Sequence, residues 1–138
     1  MVEYARKQLE GTQTLVLAVT VLTSIDSKTC QEIYHRLPLP QVLSLAKIAY
    51  NAGAHGFVCS PDEEAAALRK LYPDALIVCP GCRSLGTDTG DQSRIASFTE
   101  AKDAGANFMV GGRQFLGAQD SVEEVLRVLS EELGLCVN

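Results

Sequence analysis

The sequence predicts an α/β chain of about four parallel β/α units. Three observations carry that prediction. Strand-like and helix-like patterns alternate from one end to the other. The strand-like runs are nearly continuously apolar and β-branched, as parallel strands buried on both faces are. The length of 138 residues holds about four such units, whereas a closed barrel of eight takes about 250 residues. The chain therefore reads as half of a barrel or as a small open sheet. No linker or low-complexity stretch divides it, so residues 1–138 form a single domain.

Each element follows from local chemistry. Thr14 to Ser24 is the first strand-like run. A loop follows, and Pro38 and Pro40 mark the entry to a helix over Pro40 to Ala52, with Val42, Leu45, Ala46, Ile48 and Ala49 at helical spacing and Gly53 as its stop. Gly56 to Cys59 is a short strand. Ser60 as N-cap and Pro61 at the first helical position open a helix over Asp62 to Tyr72. Ala75 to Cys79 is the third strand, followed by a long loop from Pro80 to about Ser97. Phe98 to Ala104 is a short helix ended by Gly105, and Asn107 to Val110 the fourth strand. Gly111 to Gln114 reads as a loop, and Asp120 to about Leu133 as the last helix, ended by Gly134.

Composition narrows the function. Hydrophobic residues at 46% and charged residues at 21% describe a globular chain, not a disordered one. The net charge of −5 argues against nucleic acid and anionic membranes as partners, since both select a basic surface. The longest apolar run, Leu15 to Leu22, is too short to cross a bilayer. With no signal-like core behind Met1, the expected address is cytoplasmic. Five cysteines are an odd count without a secretion signal, and they are expected to be reduced.

Three stretches resemble the orotidine 5′-monophosphate decarboxylase family, in that family's order. Val19-Thr20-Val21-Leu22-Thr23-Ser24 resembles the fifth barrel strand. Gly56-Phe57-Val58-Cys59-Ser60, with Glu63 or Glu64 behind it, resembles the sixth. Pro80-Gly81-Cys82-Arg83, then Gly90-Asp91-Gln92-Ser93-Arg94, then Val110-Gly111-Gly112-Arg113 resemble the seventh strand, its phosphate loop and the eighth strand. The resemblance covers nearly the whole chain. It implies the C-terminal half of a TIM-type (β/α)8 barrel. It also implies that Arg83, Gly112 and Arg113 bind phosphate, that Gln92 reaches over it, and that Thr23 and Ser24 contact a pyrimidine. Taken singly, these residues are ordinary surface charges, strand ends and turns.

General chemistry agrees with the implied site. Barrels of this type commonly hold phosphate on the loops after their last two strands. Glycines allow close backbone approach, and an Arg adds a charge-assisted contact. The chain departs from the family pattern at three places. Cys82 and Ser84 flank the first Arg where Ile and Pro are common, and Gln114 follows the second Arg where Pro is common. A freer φ at Gln114 predicts a less rigid loop and a weaker site.

The family's chemistry belongs to an alternating Lys–Asp network that includes Asp-x-Lys-x-x-Asp. An ammonium there stabilises and protonates the developing carbanion. Nothing in this chain matches that motif in place. The nearest echo, Asp26-Ser27-Lys28-Thr29-Cys30-Gln31, ends in Gln and follows the first strand, so Lys28 reads as a solvated loop residue and no catalytic residue is nominated. Cys79-Pro80-Gly81-Cys82 has dithiol spacing, but a loop follows it and it has no second pair for zinc. His35 and His55 are isolated, so no metal or cofactor is expected.

The expected function is thus a decarboxylase-family chain of pyrimidine (UMP) biosynthesis that keeps the phosphate- and pyrimidine-binding half and is inactive alone. Its expected partners are an orotidine or uridine monophosphate-like ligand, and either further copies of itself or a separate N-terminal half-barrel. The alternatives are a phosphate-binding module or subunit of a split enzyme, a sugar-phosphate enzyme on the same barrel, and, more weakly, a dithiol protein using Cys79 and Cys82.

Overall fold

The structure, a computed structural model, describes residues 1–85 and 96–136. One sheet of four parallel strands organises it: β1 (Leu17–Val19), β2 (Gly56–Val58), β3 (Leu76–Pro80) and β4 (Phe108–Val110), in the order β1-β2-β3-β4. Leu17 pairs with Gly56, Gly56 with Leu76, and Val78 with Phe108, so sequential strands are neighbours throughout. The helices are α1 (Val2–Gln8), α2 (Ser27–Tyr34), α3 (Pro38–Asn51), α4 (Glu63–Leu71), α5 (Phe98–Asp103), α6 (Arg113–Leu116) and α7 (Ser121–Arg127). A π-helical turn, Val128–Glu132, continues α7.

The two faces of the sheet differ. Side chains alternate across a strand, and in one set Phe57, Ile77 and Cys79 are fully buried, with Ala18 and Met109 of the edge strands partly so. With Val42 and Ala46 of α3, Ala65 and Leu68 of α4, and Phe98 and Ala101 of α5, these residues form the core. On the other face the edge-strand residues Leu17, Val19, Phe108 and Val110 are 37–59% exposed although all four are apolar, while Val58, Leu76 and Val78 of the central strands are half-buried. Among the described residues helices cover one face only, and β1 and β4 are the two edges.

Several local expectations are corrected. The first strand is three residues long, not Thr14 to Ser24. Thr20 adds one ladder bond to the Val58 carbonyl (3.1 Å), and the backbone then turns, with Ile25 N–H donating to the Leu22 carbonyl. The loop expected next contains α2. Asp26 caps it by accepting from Thr29 N–H at 2.7 Å, and His35 in the left-handed region ends it. Lys28 is therefore helical, and its side chain is 86% exposed. Ser60 does not cap α4; Asp62 does, while the buried Glu64 carboxylate accepts from Ser60 N–H at 2.9 Å. On α3, Ile48 points outward, 65% exposed. Residues 113–116 form the one-turn helix α6 where a loop was expected, and α1 was not foreseen at all.

Other signals act as expected. Gly53, Gly105 and Gly134 follow helix ends with positive φ, where a Cβ would be strained. Ser97 and Glu100 form a reciprocal capping box at the start of α5. At the sheet end remote from the site, Arg69 of α4 staples the backbone together. Its guanidinium donates to the carbonyls of Gly105, Pro73 and Ala75 and to Asn107 Oδ1, which also accepts from Ile77 N–H.

Candidate functional site

Parallel strands place all their following loops at one end of the sheet, where ligand sites of such folds form. At that end, Pro80, Gly81, Cys82 and Arg83 leave β3, and Val110, Gly112, Arg113 and Gln114 leave β4. Together they line a cleft of about 140 Å³. The two arginines are brought to the same place by neighbouring strands whose last paired residues are Pro80 and Val110. Beyond that pair the β3 loop is held by a bridge from Cys82 to Ala96, with Arg83 N–H donating to the Ala96 carbonyl at 3.1 Å.

The two glycines have different roles. A Cβ on Gly111 would lie 2.3 Å from the Phe115 ring and 2.9 Å from Phe98, whose rings pack 5.6 Å apart. Gly111 therefore serves packing. Among the described residues, a Cβ on Gly112 would meet nothing within 4 Å. Because α6 is a single turn, its dipole adds little, and among the described residues the cationic groups lining the cleft are Arg83 and Arg113.

Thr23 and Ser24 lie in the turn after β1, at the same end of the sheet but along the opposite edge. Thr23 is buried and Ser24 exposed. Strand spacings of about 4.8 Å put this turn roughly 10–14 Å from the loops of β3 and β4, so only an extended ligand would reach both. Gln92 and the stretch Gly90-Asp91-Gln92-Ser93-Arg94 lie outside the described residues.

The three departures from the family pattern are all engaged. Gln114 accepts from Ser84 N–H through Oε1 at 2.9 Å and donates through Nε2 to Ser84 Oγ and to Glu124 Oε1, each at 2.6 Å. Arg127 of α7 clasps both oxygens of Glu124 (2.9 and 3.0 Å) and also reaches Ser84 Oγ and Glu132. Hydrogen bonds from Arg127, then from Gln114, hold the Glu124 carboxyl down to about 2. Sequence reasoning missed this network. The available signal was the joint replacement of two common prolines by residues that can bond each other.

The cysteines are free and, except for Cys136, buried. Cys82 donates to the Cys79 carbonyl at 3.2 Å. Burial, then the neighbouring Cys79, pushes the Cys82 thiol up to about 12, and Cys79 lies below its ordinary value through a hydrogen bond with Cys59. A thiol held so strongly protonated is a poor nucleophile. Among the described residues no group of three or more His, Cys, Asp or Glu is arranged to hold a metal, and no helix is long and apolar enough to cross a membrane. His55 is structural: its Nδ1 accepts from Val16 N–H at 2.8 Å, tying the start of β1 to β2.

Comparison with known proteins places this arrangement. Residues 1–128 match the model of the orotidine 5′-phosphate decarboxylase / HUMPS family. Orotidine 5′-phosphate decarboxylases of Marinomonas sp. and Psychromonas ingrahamii are 39% and 42% identical over 95% and 96% of this chain, matching 56% and 58% of their own lengths. A crystal structure of orotidine 5′-phosphate decarboxylase from Lactobacillus acidophilus superposes with a TM-score of 0.75 at 34% identity, over 95% of this chain and 57% of that one. The chain spans somewhat over half the length of these relatives, and its open sheet corresponds to half of their barrel. It belongs to the orotidine 5′-phosphate decarboxylase / HUMPS family, as a half-barrel of four β/α units.

Proposed function

We propose that this chain supplies the phosphate- and pyrimidine-binding half of an orotidine 5′-phosphate decarboxylase of UMP biosynthesis, acting in the cytoplasm. The observation that carries this reading is the cleft between the β3 and β4 loops, which Arg83 and Arg113 line together with Gly112, whose backbone no described residue crowds. Arg113 and Arg83 bind the phosphate of an orotidine or uridine monophosphate-like ligand, with Gln92 reaching over it. Thr23 and Ser24 meet the base. The chemistry needs an ammonium–carboxylate network for which this chain carries no matching motif, so the chain alone binds without turning over. The uncovered sheet face supports a partner there, either a separate N-terminal half-barrel or a further copy of the chain.

Titration calorimetry with uridine monophosphate tests the site. Arg113→Ala is expected to lose roughly 1.5–3 kcal/mol, the range for hydrogen bonds to charged groups. Equal binding by wild type and Arg113→Ala removes the cleft from consideration. Decarboxylation of orotidine monophosphate by the rigorously purified chain, far above the uncatalysed rate, would overturn the assignment of inactivity.

A further inference from the structure

We propose that Gln114 and Ser84 form a polar latch that positions the Arg83 and Arg113 loops around the cleft, with Glu124 and Arg127 fixing the direction of the latch. The inference rests on the reading of the cleft as an anion site. Each latch residue is the immediate neighbour of one cleft arginine, and together they span the gap between the two loops beyond the last ladder pair, Pro80 and Val110. Without the latch, the Cys82–Ala96 bridge and the Arg83 N–H bond still hold the β3 loop to Ala96, but neither ties it to the β4 side of the cleft.

The direction follows from donor and acceptor chemistry. A carboxylate can only accept, so Glu124 requires the NH₂ end of the Gln114 amide. That leaves Oε1 of Gln114 facing Ser84 N–H, where it accepts. Glu124 is itself immobilised by two hydrogen bonds from Arg127. The Ser84 hydroxyl accepts from Gln114 and Arg127 and donates to Glu132. Every side-chain polar atom of Gln114 and Ser84 is thus used, and a network satisfied in this way is rigid, whereas the loss of one member leaves several partners unpaired. The last helix thereby ties the Ser84 loop, 43 residues away in sequence from Arg127, to the start of α6 at Gln114.

Three readouts on the full chain test the latch: amide exchange of the segment carrying Ser84, affinity for inorganic phosphate, and thermal midpoint. Gln114→Met keeps length and removes the amide. It is expected to speed Ser84 exchange and weaken phosphate binding, each about tenfold or more because three hydrogen bonds of the latch go with the amide, and to lower the thermal midpoint modestly. Gln114→Glu sets two carboxylates face to face and is expected to speed Ser84 exchange. Adding Glu124→Gln places an amide donor opposite the new carboxylate, restores a donor–acceptor pair between positions 114 and 124 and returns the protection, a reversal that simple packing would not give. If Gln114→Met destabilises the fold, Ser84→Ala, which removes only the hydroxyl, is expected to give a smaller loss of affinity. Unchanged phosphate affinity in Gln114→Met, while Arg113→Ala abolishes binding, overturns the latch and leaves the site standing. No saturable phosphate binding by wild type overturns the site reading, and the positioning role with it.

Discussion

The uncovered face of the sheet should drive this chain to associate. Leu17, Val19, Phe108 and Val110 point away from the helices and are 37%, 59%, 57% and 49% exposed. Fully burying such a side chain is worth about 1.5–3 kcal/mol, so four of them left about half uncovered forgo roughly 3–6 kcal/mol. A domain's whole stability is about 5–15 kcal/mol, and the strand edges at β1 and β4 add unpaired backbone groups beside the same patch. Replacing Val19 and Phe108 by Glu, one on each edge strand, should remove the drive to associate without touching the helix-packed core. Sedimentation velocity over a wide concentration range is the assay, with binding of a hydrophobic dye measured in parallel. Wild type is expected to associate and to bind dye, and the double variant to sediment as a smaller species with less dye. A monodisperse wild-type monomer that unfolds cooperatively and binds no dye would refute the reasoning, because the exposed face would then cost the chain nothing.

Three further outcomes follow from particular contacts. Gly111→Ala forces a Cβ into the Phe115 and Phe98 rings and should destabilise by about 1–3 kcal/mol, as overpacking does, whereas Gly112→Ala should leave the thermal midpoint unchanged and weaken phosphate binding. Arg69→Met removes the staple across Gly105, Pro73, Ala75 and Asn107 and should cost about 2–3 kcal/mol in denaturant unfolding. The Glu124 carboxyl is held at about 2 against an ordinary 4.5 by Arg127 and Gln114, so the folded state binds fewer protons than the unfolded state between those values. The stabilisation it contributes is fully present above pH 4.5 and is lost as pH falls toward about 2. An acid titration of stability should flatten in that window for Glu124→Gln.

Much of the architecture was legible in the sequence because its causes are local. Buried β-branched runs, helical spacing on α3, and glycines at helix stops depend on residues a few positions apart, and they specified four parallel units in their observed order. Family membership was legible for a related reason, since short motifs at Thr23-Ser24, Arg83 and Gly112-Arg113 keep their order along the chain. Element ends were less legible. The run from Thr14 to Ser24 is nearly continuously apolar, yet only Leu17–Val19 has a full ladder, because an edge strand has one neighbour and leaves the sheet where that neighbour ends. Only the tertiary structure decided which face of the sheet is buried. Alternation alone does not tell Phe57 and Ile77, packed beneath helices, from Leu17 and Phe108, left open. It alone also joined Ser84 to Gln114 and Arg127, because those bonds close over 30 and 43 residues, and a pairing at that separation depends on where the sheet sets each loop rather than on any pattern within it.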